Sequence, residues 1–313
     1  MKSFMVAAAI IQPSSARGHH GGAQLRFFPL LTKVKAGPYT VRGVSVAGVY
    51  TTLQVPELGL VFDCGMAPRG FASTEHLFLS HGHADHVGAL PGLLGIRGMM
   101  RRPPLRLFLP APIVDDVGAA LTAMSRLQRH ELAVDMVPMT PGQEHQLKGD
   151  LWVRAIKTFH PVPSLGYLFF RRVHKLKEAY RDLPGAEIGA RRKAGEDLFF
   201  TAERLEVAYA TDTLVRVLDQ NPEILDARVC ILECSFLDHR KTRDGARAGC
   251  HIHLDDLVER LPLLEGARGT LVLMHFSQLY KPSEIRPLLE ARLPAAVAER
   301  VVAFAPPRGA WPG

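Results

Sequence analysis

The stretch Ser80-His81-Gly82-His83-Ala84-Asp85-His86 constrains this chain more than any other. Three imidazoles and a carboxylate fall within six positions, directly after the apolar run Leu77-Phe78-Leu79. Such a run reads as a buried strand that delivers the next residues to a loop. Imidazole nitrogen and carboxylate oxygen are the donors zinc takes when it keeps a coordination position open for water. A short Gly-containing loop turns alternate residues toward different points, so one strand end can supply two adjacent metals. The plainer reading is a chance cluster of surface histidines in a chain that has 14. It gives no reason for further ligand-type residues at later strand ends.

Those residues are present. His160 follows Lys157-Thr158-Phe159, Asp212 follows the run Val207-Ala208-Tyr209, and His275 follows Leu271-Val272-Leu273-Met274. A single His or Asp at a strand end is usually a hydrogen-bonded structural group. With the first loop, these three complete a set of seven: His81, His83, Asp85, His86, His160, Asp212 and His275.

The rest of the chain reads as α/β. Strands are expected at Val44 to Val49, Leu58 to Asp63, His76 to Ser80, Leu105 to Leu109, Trp152 to Ile156, Leu165 to Arg171, Val207 to Tyr209, Val229 to Glu233 and Thr270 to Met274. Helices are expected at Ile113 to Arg129, Leu254 to Leu261 and Ser283 to Ala291. Many strands interleaved with few helices point to two sheets with helices packed outside. No linker divides the chain, so residues 26–313 read as one domain after a tail at 1–25. Within that tail Lys2 and the apolar run Phe4 to Ile11 resemble a short signal peptide, but no small-x-small cleavage site follows and Arg17, His19 and His20 come soon after. No other segment approaches the ~20 apolar residues that cross a bilayer.

Cys64, Cys230, Cys234 and Cys250 have neither CxxC spacing nor disulfide-scaffold density, which fits a reducing cytoplasm. Lys and Arg number 38 against 31 Asp and Glu, a net charge of +7 that favours polyanionic partners.

The ligand set resembles that of the metallo-β-lactamase superfamily, which implies an αββα sandwich: two mixed sheets with helices on their outer faces. By that resemblance His81, His83 and His160 hold one zinc, Asp85, His86 and His275 a second, and Asp212 bridges the two. Further segments are similar to ribonuclease Z, the endonuclease that trims the 3′ trailer from precursor tRNA, and most of all to its short plant-type members. They are Gly88 to Leu94 with Arg97-Gly98, Lys157 to His160, Ser164 to Tyr167, His174 to Tyr180, Glu233 to Asp238, and His275-Phe276-Ser277 with Tyr280. The likeness runs from about residue 36 to 305.

It implies a catalytic pair, Asp85 and His251. In the family a histidine near Cys250-His251-Ile252-His253 assists without binding metal, since the oxygen leaving phosphorus needs a proton and imidazole donates one near neutral pH. The alternative is that His251 and His253 only decorate a helix start. The likeness also implies homodimers and a short basic insert near 171–195, whose Arg171, Arg172, Lys175, Lys177, Arg191, Arg192 and Lys193 suit an RNA backbone. The chain departs from the family at Cys250 and Thr211, where glycine is usual, and at Leu279, where an arginine often stands. The competing expectation is a hydrolase of the same fold acting on a small thioester, lactone or phosphodiester.

Overall fold

The computed structural model describes residues 31–306 and 309–311. The expected tail, the signal-like run and the domain's start at residue 26 lie outside the described residues. Fourteen strands form two seven-stranded sheets, each laid out in sequence order. The first comprises β1 (Thr32–Ala36), β2 (Tyr39–Val46), β3 (Tyr50–Val55), β4 (Leu60–Phe62), β5 (His76–Phe78), β6 (Leu105–Pro110) and β7 (Val134–Met139). The second comprises β8 (Glu144–Lys148), β9 (Leu151–Lys157), β10 (Leu165–Leu176), β11 (Phe199–Ala210), β12 (Val229–Glu233), β13 (Thr270–Met274) and β14 (Val301–Ala303). Both sheets are mixed: β1 to β4 and β8 to β11 pair antiparallel, β4 to β7 and β11 to β14 parallel.

The parallel strands read as unbroken apolar runs because both of their faces are covered. In β12, Val229 and Ile231 face the other sheet, while Cys230 and Leu232 face the outer helices. Between the sheets lies an aromatic layer in which Phe62 stacks on Tyr209 with centroids 4.5 Å apart, Phe78 stacks on Phe108 at 4.6 Å, and Phe169 meets Phe78 edge-on. Helices α1 (Ala84–Val87), α2 (Leu90–Met99) and α3 (Val114–Gln128) follow β5 and β6, and α2 and α3 pack on the outside of the first sheet. The helices Leu254–Val258 and Pro282–Arg292 cover the second. The αββα arrangement is therefore as expected. Among the described residues no helix is long and apolar enough to cross a membrane.

Several expected elements shift. The strand read as Val44 to Val49 ends at Val46, because Gly48 takes a left-handed φ and turns the chain into β3. The Gly-rich segment after the His loop is the helix α2, opened by Pro91 in its first turn. The helix expected over Leu254 to Leu261 stops at Val258. β10 and β11 run on beyond their apolar cores to pair as far as Leu176 and Phe199, forming the stem of the insert, and α4 (Gly185–Lys193) lies beyond it.

Candidate metal centre

Every residue of the seven-member set sits where a strand of the sandwich ends. His81 and His83 follow β5, Asp85 and His86 ride on α1, His160 follows β9, Asp212 follows β11 and His275 follows β13. The first sheet thus supplies four of the residues and the second three, and they meet across the seam. Two groups form, His81, His83, His160 with Asp212, and Asp85, His86, His275 with Asp212.

His83 Nδ1 lies 3.0 Å from His81 Nε2 and 3.2 Å from His160 Nε2. A tetrahedral zinc with nitrogens at about 2.0–2.1 Å sets its ligand atoms roughly 3.3 Å apart, so this cluster has the dimensions of a zinc site. Asp212 divides its oxygens between the groups: Oδ2 is 3.7 Å from His81 Nε2, whereas Oδ1 is 3.5 Å from His86 Nε2 and 3.2 Å from His275 Nε2. Asp85 Oδ2 is 3.5 Å from His86 Nε2.

The second ligand group fits a metal ion on a direct test. Nε2 of His86 and Nε2 of His275 are buried without a hydrogen-bond partner. Buried polar atoms left unpaired are rare and costly. For His86 and His275 a hydrogen-bond relay explains which nitrogen is left. Asp63 accepts from the Ser80 hydroxyl at 2.9 Å and from His86 Nδ1 at 2.8 Å. Having spent its proton on Asp63, the Ser80 oxygen accepts from His81 Nδ1, 2.9 Å away. In the second sheet Glu233 accepts from the Ser235 hydroxyl at 2.7 Å, and Ser235 Oγ stands 3.1 Å from His275 Nδ1. In each case the proton is held on Nδ1 and the Nε2 lone pair points inward, as a metal-binding imidazole requires.

For His81 and His160 electrostatics favour the neutral ligand form, whereas for His86 they favour the charged one. Burial, reinforced by neighbouring His86, pushes His81 down to about 2, and burial takes His160 down to about 4. Both are neutral ligands at physiological pH. For His86 burial acts against the charged form, but Asp212 and Asp63 outweigh it and raise the imidazole well above its ordinary value. Asp63, Asp212 and His275 hold left-handed φ values of 54°, 45° and 62°, a conformation uncommon outside glycine and concentrated at functional sites. Gly65 has its own constraint, because a Cβ there would lie 1.9 Å from the Asp85 carbonyl oxygen.

His251 stands beside this cradle, its ring 5.4 Å from that of His275 and 6.2 Å from that of His160. Its Nδ1 is 3.1 Å from Oε1 of the fully buried Glu233. Burial works against its charge, yet Glu233 outweighs burial and raises the imidazole to about 9. His253 faces away: its Nδ1 accepts from the Asp255 backbone N–H and caps the helix that follows. Asp63, Ser80, Ser235 and Glu233 entered the sequence reading only as members of a strand or a motif, with no role. A lone Asp after Phe62 carries no signal of its own.

The departures also find places. Cys250 has φ 57°, a position that suits the glycine usual there. The Thr211 hydroxyl donates to Asp212 Oδ1 at 2.8 Å, adding a contact that glycine lacks. Leu279 is half exposed, and Arg240 reaches its carbonyl at 3.0 Å while paired with Glu284.

The insert is less basic in effect than in composition. Arg171 pairs with Asp150 and Glu206, Arg172 with Glu144 while lying 3.8 Å above the Trp152 ring, Lys177 with Asp197, and Arg191 with Glu187 and Glu196. Among the described residues Lys175, Arg192 and Lys193 have no ion-pair partner. Nearer the metal cradle Lys157 and Arg216, likewise without one, flank the Phe159 ring at 5.5 and 5.0 Å.

Residues 61–276 match the family model described as the beta-lactamase superfamily domain. Tested against solved structures, the chain superposes on the metallo-β-lactamase fold protein YhfI of Bacillus subtilis (TM-score 0.57, 15% identity, 90% of this chain and 98% of that one). It superposes also on human tRNase Z, short form (TM-score 0.52, 18% identity, 80% and 93%). Fold and cradle together define a protein of the metallo-β-lactamase superfamily. In sequence it is 34% identical over 268 residues to tRNase Z TRZ1 of Arabidopsis thaliana, covering 85% of this chain and 95% of the relative. It is 33% identical over 271 residues to the chloroplastic tRNase Z TRZ2 of the same plant, covering 86% and 76%. The chain belongs to the tRNase Z family.

Proposed function

We propose that this chain is a two-zinc endoribonuclease that removes the 3′ trailer from precursor tRNA. The observation that carries this reading is the placing of His251 and its buried Glu233 against a cradle whose Asp212 divides its oxygens between two ligand groups. His81, His83 and His160 would hold one ion, Asp85, His86 and His275 the other, and Asp212 both. When bound, such a pair lowers the pKa of water and stabilises charge on the entering and leaving oxygens of a displacement at phosphorus. Asp63 and Glu233, through Ser80 and Ser235, keep the inner nitrogens unprotonated. Asp85, partly open to solvent, orients the attacking water. His251 gives its proton to the departing oxygen, with Glu233 keeping it protonated at neutral pH.

Residues 26–313 act as one domain, with the insert near 171–195 gripping RNA through Lys175, Arg192 and Lys193 more than through its paired arginines Arg171, Arg172 and Arg191 and the paired Lys177. The free thiols of Cys64, Cys230 and Cys234, all buried, support a reducing compartment such as the cytoplasm. The homodimer of the family is proposed here too, and Met99 and Leu127, 79% and 78% exposed at the ends of α2 and α3, are apolar positions it would cover. The deciding experiment incubates zinc-loaded protein with a precursor tRNA and with a panel of thioesters, lactones and bis-phenyl phosphate. Endonucleolytic release of the trailer is expected. Preference for a thioester or lactone by orders of magnitude would give the site to a small-molecule hydrolase.

A further inference from the structure

Next to the metal cradle the surface falls into a groove of about 510 Å³. Val87 and Leu90 line it from the α1–α2 segment, Ile113 from the start of α3, and Val162 and Pro163 from the loop that carries His160. His83 belongs both to the groove wall and to the first ligand group, so the two are continuous. Asp116 is the carboxylate of the wall among the described residues. Neither the ligand set nor the proton donor makes use of these apolar side chains.

A nucleic acid is a polyanion whose apolar surface is the faces of its bases, and apolar or aromatic walls take such faces without regard to sequence. The groove lies on the His83 flank of the centre. The proton donor stands two rings away from His83: His83 lies 4.9 Å from His160, and His160 6.2 Å from His251. We propose that the groove receives the base of the nucleotide flanking the scissile phosphate on the side away from the oxygen that His251 protonates. Asp116 accepts from the exocyclic amine of that base, favouring an amino-bearing base over uracil. The inference rests on the RNA-cutting reading above.

The test uses full-length, zinc-loaded protein and precursor RNAs made abasic at the nucleotide on one side of the cut or the other. Removing the base on the groove side is expected to lower kcat/KM on the order of 10-fold, as losing the burial of one base face on aliphatic walls would, and removal on the leaving side much less. In Val162→Trp and, separately, Ala120→Phe, the new ring fills the groove and the ratio of intact to abasic cleavage falls toward one. A 2-aminopurine at the groove-side position, bound by His251→Ala protein, reads occupancy without turnover. Its fluorescence rises there as the base leaves its stacked neighbours for the aliphatic walls, and the rise is lost when Val162→Trp is added.

Equal cleavage of intact and abasic RNA by the wild type, a larger penalty on the leaving side, an unchanged ratio in both filled variants, or 2-aminopurine fluorescence that does not rise would overturn the proposal. Failure to cut either RNA with metal bound would instead overturn the RNA reading. Faster turnover of a long-chain acyl thioester than of either RNA would assign the groove to an acyl chain.

Discussion

The metal cradle and the β10–β11 insert hold charges of both signs, and they use them in opposite ways. In the cradle Asp212, His81, His86 and His275 are buried, and Nε2 of His86 and of His275 has no hydrogen-bond partner. In the insert Arg191, Glu187 and Glu196 are each more than a third exposed and fully paired. Burial makes an unsatisfied atom expensive, so the cradle's open nitrogens are those of a cation site. Exposure makes pairing cheap and weak, so the insert's ion pairs say little about its partner. Charge composition is therefore a poor guide to function, and desolvated geometry a good one.

The sharpest way to break this contrast is Asp212→Ala. Because one carboxylate faces both ligand groups, bound zinc and RNA cleavage should vanish together, checked by elemental analysis and a cleavage assay. A variant that kept two ions would undo the bridging assignment. His251→Ala comes next: zinc content should hold while the rate falls about 10²- to 10⁴-fold, the worth of a positioned acid. The same donor sets a pH signature. Its active form is protonated, so activity falls as pH rises through its raised pKa of about 9. Glu233→Gln removes the carboxylate that raises it and should move the alkaline limb of kcat/KM to lower pH, whereas an unmoved limb would leave Glu233 a merely structural acid.

Asp63→Asn sharpens the comparison further, since it leaves all seven ligands intact. It should weaken zinc about 10- to 100-fold, the usual effect of losing an outer-shell partner, measured by competition with a chelator. The smallest effect is expected in the insert. Replacing Arg191, Arg192 and Lys193 by Ala should flatten the log–log salt dependence of RNA binding by about two units, not three, because Arg191 is already paired and releases little counterion. A drop approaching 2.7, about 0.9 per cation, would show that its ion pairs open on binding.

The cradle was legible in the sequence for a physical reason. Zinc chemistry needs particular side chains, and a strand end is the place from which several can converge. The αββα arrangement came with the same resemblance. Asp63 was not legible, because its role depends on β4 lying parallel beside β5, which brings Asp63 level with Ser80 from 17 residues away. Glu233 reaches the site in the same way through β12 and β13. Pairing between Arg172 and Glu144, or Arg171 and Asp150, likewise needs the strand register. β1 and β8 went unread because TKVKA and EHQLK are too polar to announce a strand. α2 hid behind its glycines, and its apolar face, Leu90, Leu93 and Leu94, acquires meaning only against the first sheet.

The seam between the sheets has a thermodynamic consequence. Each proposed ion would take ligands from both halves of the sandwich, so a half that peels away must surrender its ions. Free zinc then acts as a stabilising ligand: at a hundredfold excess over Kd, each bound ion adds about 2.7 kcal/mol to the unfolding free energy. The melting temperature becomes a readout of the metal buffer, and zinc scarcity would be felt as loosening of the two sheets and lost turnover together.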